Sequence, residues 1–311
     1  MSGTTIDGGS IEKAQRLKDS HIPEYLYKFR GVNEYSLQNL ESDTVWVCSA
    51  TNYNDPYDCA STLNVPLLTA RSSKLNFSDA GKHGGLDKHL TESELAQAQA
   101  AEDPMREIAL ALFRKEKTIK ESDYEKLLEG INSALLNVGD DMIRSLNSIS
   151  QQGMKVCSFS ERNDSIVMWG HYAVSHTGFC LEYPIKSLAP GDPRRSSLFP
   201  VTYSPELFDA TPYLLQSMET EGFNNLFGMM AGARKAPDWS YEEEWRLLLP
   251  MGESFHDQNY QMPTPTTIYL GTRISEQHEE KIREVGARRG IPVKKMKLSQ
   301  REFKLVPEDE K

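Results

Sequence analysis

The chain has no long apolar run, few cysteines and no excess of positive charge. A membrane-spanning helix needs about 20 consecutive apolar residues, so the first absence predicts that no helix crosses a membrane. Residues 1–7 contain no basic stretch followed by an apolar one, and we therefore expect no secretory signal. The net charge of −10 disfavours non-specific binding along a nucleic-acid backbone, which requires a basic face. A local basic cleft stays open, with Arg234–Lys235 or Arg288–Arg289 as candidates.

The four cysteines are too few and too scattered to predict a disulfide framework, and none forms a CxxC pair. We interpret them as buried thiols of a protein in a reducing cytoplasm. His171, His176 and Cys180 offer three zinc ligands at irregular spacing, so we expect no metal site. The cysteines are Cys48, Cys59, Cys157 and Cys180.

Three motifs of common enzyme classes are also absent. The chain has no GxSxG nucleophile elbow, no phosphate-binding P-loop and no dinucleotide-binding fingerprint. The sequence therefore does not indicate a serine hydrolase built on that elbow, a P-loop nucleotidase or a Rossmann dehydrogenase.

The order of segments predicts a mixed α+β fold with a mostly antiparallel β core. Segments such as Thr44–Ser49 and Met154–Ser160 are rich in the β-branched and apolar residues typical of strands. Between them, residues at about 91–150 show helical periodicity, and we interpret this block as a helical insert. We expect a flexible N-terminal segment at 1–22 and one α+β domain at 23–311 that contains the insert.

The stretch Trp239–Arg246 places Glu242 and Glu244 directly ahead of the apolar run Leu247–Leu249. If both acids belong to a strand, alternate side chains project from one face, and the two carboxylates point together between aromatic residues. Paired carboxylates suit chemistry at a sugar carbon, where positive charge develops in the transition state. The same pattern also fits a solvated turn before a strand.

Three further clusters contain residues that could contact a ligand. Arg30 ends a strand-like segment next to Gly31, where a guanidinium could hold a phosphate. Ser49 ends a second strand-like segment, ahead of a loop rich in turn-forming residues. His171 and Tyr172 could act in acid–base chemistry or in stacking. Taken singly, each cluster also fits a structural role.

These clusters, in this order, resemble the bacterial domain-of-unknown-function family 2971. The resemblance extends from about residue 25 to residue 298 and is interrupted by the helical block. It implies no biochemical activity. The matching segments are Leu26–Arg30, Asn54–Asp58, Phe159–Asp164, Met168–Tyr172, Gly178–Glu182 and Tyr241–Arg246.

The chain also resembles ADP-ribosyltransferases of the Arg–Ser–Glu type. Those enzymes carry an Arg on a first strand, a Ser on a second strand and a Glu-x-Glu pair that opens a later strand. The corresponding residues here are Arg30, Ser49 and the pair Glu242 and Glu244. The resemblance implies a split antiparallel sheet, NAD as the substrate, and a transferase or NAD glycohydrolase of a bacterial defence or toxin system. It leaves the acceptor open among protein, nucleic acid, small molecule and water.

The same resemblance implies a role for each residue. Arg30 pairs with the NAD pyrophosphate, and Ser49 supports the nicotinamide ribose. Glu244 hydrogen-bonds the ribose 2′-hydroxyl and stabilises the positive centre as nicotinamide leaves, while Glu242 orients or deprotonates the acceptor. The other residues expected to contact NAD are Tyr53, His171 and Tyr172, with Tyr53 or Tyr172 stacking on the nicotinamide ring.

Two other functions stay open. In a non-catalytic interaction or sensor module, Glu244 would pair with Arg246 or Arg30 as a structural ion pair. In a hydrolase, His171 would act together with Glu182. An open cleft with an aromatic wall around Glu244 favours the transferase, whereas burial of Glu244 against an arginine without a cavity favours the structural role.

Overall fold

The computed structural model describes residues 16–69, 71, 89–219, 226–252 and 254–308, and the chain divides into two units. The N-terminal segment predicted to be flexible comprises residues 1–22. Residues 1–15 of it lie outside the described residues, and residues 16–21 are helical. The predicted helical block at about 91–150 belongs to the second unit. The first unit comprises Met1–Cys59, Gln151–Glu206 and Gly232–Lys311, and the second comprises Ala60–Ser150 and Leu207–Ala231.

Strands and helices alternate irregularly along the chain, as a mixed fold requires. The strands are β1 (Leu26–Arg30), β2 (Thr44–Ser49), β3 (Ser61–Thr62), β4 (Met154–Ser160), β5 (Phe179–Tyr183), β6 (Leu198–Pro200), β7 (Thr202–Tyr203), β8 (Phe208–Asp209), β9 (Arg234–Lys235), β10 (Glu244–Pro250), β11 (Gln258–Gln261), β12 (Thr267–Leu270), β13 (Val293–Leu298) and β14 (Leu305–Pro307). The helices are α1 (Glu34–Glu41), α2 (Glu92–Ala100), α3 (Pro104–Lys115), α4 (Tyr124–Gly153), α5 (Ile166–Tyr172), α6 (Pro193–Ser196), α7 (Thr211–Glu219), α8 (Leu226–Gly232) and α9 (Glu276–Arg289).

The main sheet of the first unit has the order β11-β2-β4-β1-β5-β12-β13-β14, and β10 pairs with β4 and β6. Its pairs are antiparallel except for β12 with β13. The predicted α+β class with a mostly antiparallel core is confirmed.

Two strands, β1 and β2, pair with the same edge of β4 and leave a gap between them. β10 pairs with the whole of β4, from Met154 to Ser160. On the opposite edge, β2 pairs only with Lys155 and Val156, and β1 pairs only with Ser160. The intervening part of that edge, around Ser158, therefore faces a gap between β1 and β2.

Alternation along the strands gives the sheet two different faces. One face packs Phe159, Trp245 and Leu181 into the larger hydrophobic core, together with residues of α1 and α9 such as Leu40 and Ile282. The other face carries a smaller aromatic core against α5, formed by Phe29, Met168, Trp169, Cys180, Tyr269, Met296 and Leu305. Next to that smaller core the second face becomes polar, and the gap in the sheet opens there.

Capping residues fix where the helices begin. Asn33 and Ser36 form a reciprocal capping box at the start of α1. The hydroxyl of Ser165 accepts a hydrogen bond from the backbone N–H of Met168 and starts α5. The position of α5 matters because its last turn carries His171 and Tyr172.

The second unit contains the helical block together with the short parallel pair β3 and β8. Its core includes Leu63, Phe208 and Phe227. Pro104 occupies the first turn of α3, where its missing N–H costs no hydrogen bond, so it starts a helix within the block. None of the described helices combines the length and apolar character needed to cross a membrane.

Gly178, which precedes β5, is expected to tolerate no side chain. A Cβ atom at this position would collide with the carbonyl oxygen of Arg30 and touch that of Ala173. Gly178→Ala should therefore lower the free energy of unfolding by about 1–3 kcal/mol, measured by urea denaturation. Gly170→Ala is the matched control, because a Cβ there meets nothing within 4 Å and alanine favours the helix by about 1 kcal/mol. Equal effects of the two variants would contradict the collision.

Candidate functional site

A cleft of about 460 Å³ lies at the gap between β1 and β2. Its volume falls in the range of about 300–1,000 Å³ usual for small-molecule sites. Ser158 and Ser160 of β4 line it, together with Asn52 and Asn54 of the loop after β2. Seven of the 18 lining residues have aromatic side chains: Tyr27, Phe29, Trp46, Tyr53, Phe159, His171 and Tyr172.

Two cations from β1, Lys28 and Arg30, line the cleft and have neutral partners. The ammonium of Lys28 donates to the carbonyl oxygen of Ser158 at 2.7 Å. The guanidinium of Arg30 donates to Asn39 Oδ1 at 2.5 Å. Within the described part of the chain, neither cation forms an ion pair with a carboxylate, so both retain charge that can attract an anionic ligand.

The carboxylates of Glu242 and Glu244 converge at the cleft. The two residues do not belong to one strand, however, and a turn between them brings their side chains together. Glu242 ends a 3-10 helix at Pro237–Glu242, and Glu243 has a left-handed backbone with φ of 43°. Only Glu244 belongs to β10. The turn at Glu243 brings both acids to the ammonium of Lys235, at 2.7 Å from Glu242 Oε2 and 3.4 Å from Glu244 Oε2.

Glu244 is the more strongly compensated of the two acids. Arg246 donates from Nε to its Oε1 at 2.7 Å and from Nη2 to its Oε2 at 3.1 Å. Arg246 Nη2 also lies 2.5 Å from Asp58 Oδ1. Burial raises the pKa of Glu244, but the attraction of Arg246 and Lys235 outweighs it and brings the pKa to about 2. Glu244 is therefore ionised at neutral pH.

The negative charge of Glu242 is balanced less completely than that of Glu244, because only one cation contacts it. Its Oε2 accepts from Lys235, and its Oε1 accepts a very short hydrogen bond from the hydroxyl of Tyr172. Burial and the neighbouring charge of Glu244 raise the pKa of Glu242 above its usual value. Burial and the hydrogen bond to Glu242 likewise raise the pKa of Tyr172. The two acids thus differ in environment although they share Lys235.

Ser49 is placed away from the cleft. Its hydroxyl donates to the carbonyl oxygen of Gln151 at 2.7 Å, and its backbone N–H donates to Asp257 at 2.9 Å. The same hydroxyl caps the 3-10 turn at Ala50–Asn52, which leads into Tyr53. Ser49 therefore contributes to the cleft by holding the loop that carries Tyr53.

The predicted aromatic residues lie in the cleft wall. Tyr53 faces Ser158, with 3.4 Å between their hydroxyl oxygens. His171 Nδ1 lies 3.1 Å from the hydroxyl of Tyr241, so its ring is oriented by a neighbouring side chain. The structure thus brings Arg30, Tyr53, His171, Tyr172 and the acidic pair to one cleft, and Ser49 to its support.

Sequence reasoning gave no site role to Lys28 or Asp58, and it named Lys235 only within the basic pair Arg234–Lys235. Lys28 shares a face with Arg30 by strand alternation, which was a usable signal. Lys235 was visible only as half of a basic pair, and nothing in the local sequence indicates that it bonds Glu242. Asp58 lies 188 residues from Arg246, so only the tertiary fold reveals their contact.

The described residues contain no group of three or more His, Cys, Asp or Glu arranged to hold a metal ion. All four cysteines are free, and three of them are buried. The chemistry available in the cleft comes from carboxylates, cations, hydroxyls and aromatic rings.

The fold and the cleft define a mixed α+β protein with a mostly antiparallel sheet and a polar, aromatic site at the gap between β1 and β2. Residues 168–247 match the model of a family described as Protein of unknown function (DUF2971). The match supports the resemblance to that family over this segment, which contains Tyr172, Lys235, Glu242 and Glu244. No curated protein and no solved structure gave a significant match.

Proposed function

We propose that the chain binds NAD in this cleft and cleaves its nicotinamide–ribose bond, transferring ADP-ribose to an acceptor or to water. The observation that supports this most directly is the polarity of the cleft. Two cations, Lys28 and Arg30, and two carboxylates, Glu242 and Glu244, line the same aromatic cavity, and neither cation has a carboxylate partner among the residues that the structure describes. A nucleotide offers matching groups, since it combines anionic phosphates, a ribose and planar rings.

In the proposed complex, the β1 cations hold the diphosphate and the aromatic wall holds the rings. Arg30 can present a fork of N–H donors to phosphate oxygens, and Lys28 adds a point charge beside it. Aromatic faces such as Tyr53 and Tyr172 provide surfaces on which a nicotinamide or adenine ring stacks. These contacts orient the ribose towards the acidic pair.

The reaction breaks the bond between ribose C1′ and the nicotinamide nitrogen, and the electron pair leaves with nicotinamide. Positive charge then develops on the ribose, and a nearby carboxylate stabilises it. Glu242 suits this task better than Glu244, because Arg246 neutralises Glu244 through two hydrogen bonds. The acceptor forms the new bond to C1′ and passes its proton to Glu242. Glu244 then acts as a positioning residue that holds Lys235 and Arg246.

Glu242→Gln is expected to lower the rate of nicotinamide release from NAD at least about 100-fold, because it removes the charge that stabilises the transition state. The release is measured by chromatography of the reaction mixture. Glu243→Gln is the matched control, since this neighbouring acid is exposed and pairs with Arg162 outside the cleft. The control should retain its rate. An unchanged rate in Glu242→Gln, or no release by the wild-type chain, would overturn the proposed function.

A second candidate function is nucleotide binding without turnover. It is favoured by the observation that both acids already accept hydrogen bonds from protein donors: Glu244 from Arg246 and Lys235, and Glu242 from Tyr172 and Lys235. In that case NAD would bind and be recovered intact. Calorimetry measures the binding of NAD, and chromatography measures the release of nicotinamide. Binding without release would indicate this second function rather than an enzyme.

A further inference from the structure

The acidic end of the cleft carries more negative than positive charge. Two cations, Lys235 and Arg246, face three carboxylates, Asp58, Glu242 and Glu244. The formal balance of this buried cluster, taken as fully ionised, is one unit of negative charge. We propose that this end of the cleft binds a ligand group that carries a positive charge. The inference rests on the proposed function and deepens it, because it specifies the charge of the ring held beside Glu242.

Burial makes the excess charge costly unless a ligand compensates it. All five charged residues of the cluster are buried, and Arg246 has no exposed surface. In such surroundings charges interact more strongly than in water. Asp58 Oδ2 finds no hydrogen-bond donor among the described residues, so the protein's own donors do not satisfy the cluster completely. Burial also raises the pKa of Asp58 and of Glu242, as expected for carboxylates with incomplete compensation.

The cavity gives a cation access to this cluster. Glu242, Glu244 and Lys235 line the cleft, whereas Asp58 and Arg246 lie behind them. Tyr53 and Tyr172 line the same cleft. The faces of such rings have a negative electrostatic potential that attracts cations.

The protein already uses this interaction nearby. The ammonium of Lys235 lies 4.4 Å from the centre of the Trp239 ring. A contact between a cation and an aromatic ring is thus already present beside Glu242 and Glu244.

The opposite side of the cleft has the reverse polarity, because Lys28 and Arg30 have no carboxylate partner among the described residues. A ligand with an anionic part and a cationic ring thus matches both sides. Oxidised NAD has these two features, since its pyridinium ring is positively charged and its diphosphate is negatively charged. The dihydropyridine ring of the reduced form has no charge and lacks the cationic feature.

The decisive experiment compares two small ring compounds that differ in charge. 1-Methylnicotinamide is a pyridinium cation without a glycosidic bond, and nicotinamide is its neutral counterpart. Titrations of the full chain, followed by NMR, should give the cation a dissociation constant at least about tenfold lower than that of the neutral ring, a difference of about 1.4 kcal/mol. Equal affinities, a preference for nicotinamide, or no binding of either compound would overturn the inference.

Two variants test whether the preference for the cation comes from Glu242. Glu242→Gln removes the uncompensated charge and should bring the ratio of the two dissociation constants towards one. Glu243→Gln removes a charge outside the cleft and should leave the ratio unchanged. The wild-type ratio tests the inference even if Glu242→Gln does not fold. The titrations require no turnover, so a chain that prefers the cation and yet releases no nicotinamide from NAD would retain this inference and lose the proposed function.

Discussion

Arg246→Met is expected to lower the free energy of unfolding by about 3–5 kcal/mol, the cost of breaking a buried ion pair by removing one partner. Methionine fills much of the volume of the arginine side chain, so the loss reflects charge more than packing. Without the guanidinium, Glu244 keeps only Lys235 as a cationic partner, and Asp58 loses its hydrogen bond at 2.5 Å. The backbone carbonyl of Gly232 loses a donor as well.

Urea denaturation of the full chain measures this loss. Arg162→Met is the matched control, because Arg162 is exposed and its partners Asp164 and Glu243 are not buried. Exposed pairs contribute about 0–1 kcal/mol, so the control should change little. Adding Asp58→Asn to Arg246→Met should recover part of the stability, because it removes one of the carboxylates left without a cation. A loss in Arg246→Met no larger than in Arg162→Met would refute the assigned role of this buried network.

The strands of the main sheet could be predicted from the sequence because their signal is local. Thr44–Ser49 and Met154–Ser160 were predicted with the bounds that the structure shows, and both are rich in apolar and β-branched residues, most of them buried or half-buried on the sheet. Gln258–Gln261 forms β11 and was missed, because this edge strand has polar residues and mostly exposed side chains. Local composition predicts buried strands well and edge strands poorly.

The cleft could not be predicted in the same way because it depends on pairing across the chain. It exists because β1 and β2 pair with different ends of one edge of β4. That arrangement joins segments more than 100 residues apart in the sequence. The sequence suggested that both acids project from one strand or lie in a turn before it, whereas the left-handed turn at Glu243 is what lets both acids reach Lys235. The sequence showed which acidic side chains could take part in chemistry. It did not show the charged residues that contact them in the folded chain, such as Lys235.

Glu244→Gln is expected to destabilise the chain at neutral pH and much less in acid. The pKa of Glu244 is about 2 in the folded chain, below its usual value of 4.5. A carboxyl whose pKa is lowered by folding stabilises the protein above its unfolded pKa, and this contribution disappears as the pH falls towards the folded pKa. The lowered pKa corresponds to about 3 kcal/mol at neutral pH. Glu244 also raises the pKa of Glu242, so its removal relieves Glu242 and reduces the net cost to about 2–3 kcal/mol.

The difference in unfolding free energy between wild type and Glu244→Gln reports chiefly on this carboxyl, because most of the contribution of the other acids cancels between the two proteins. Glu242 and Asp58 have raised pKa values, and their contributions have the opposite sign, since they are largest in acid and are lost as the pH rises. Urea denaturation at pH 7, 5, 4 and 3 should therefore show a difference that is constant above about pH 5. Below pH 4.5 the difference should shrink by about 1.4 kcal/mol per pH unit. Glu243→Gln, which alters an exposed acid, should show a difference below about 1 kcal/mol throughout. A difference for Glu244→Gln that stays constant down to pH 3 would mean that the ion pair with Arg246 does not lower the pKa of Glu244.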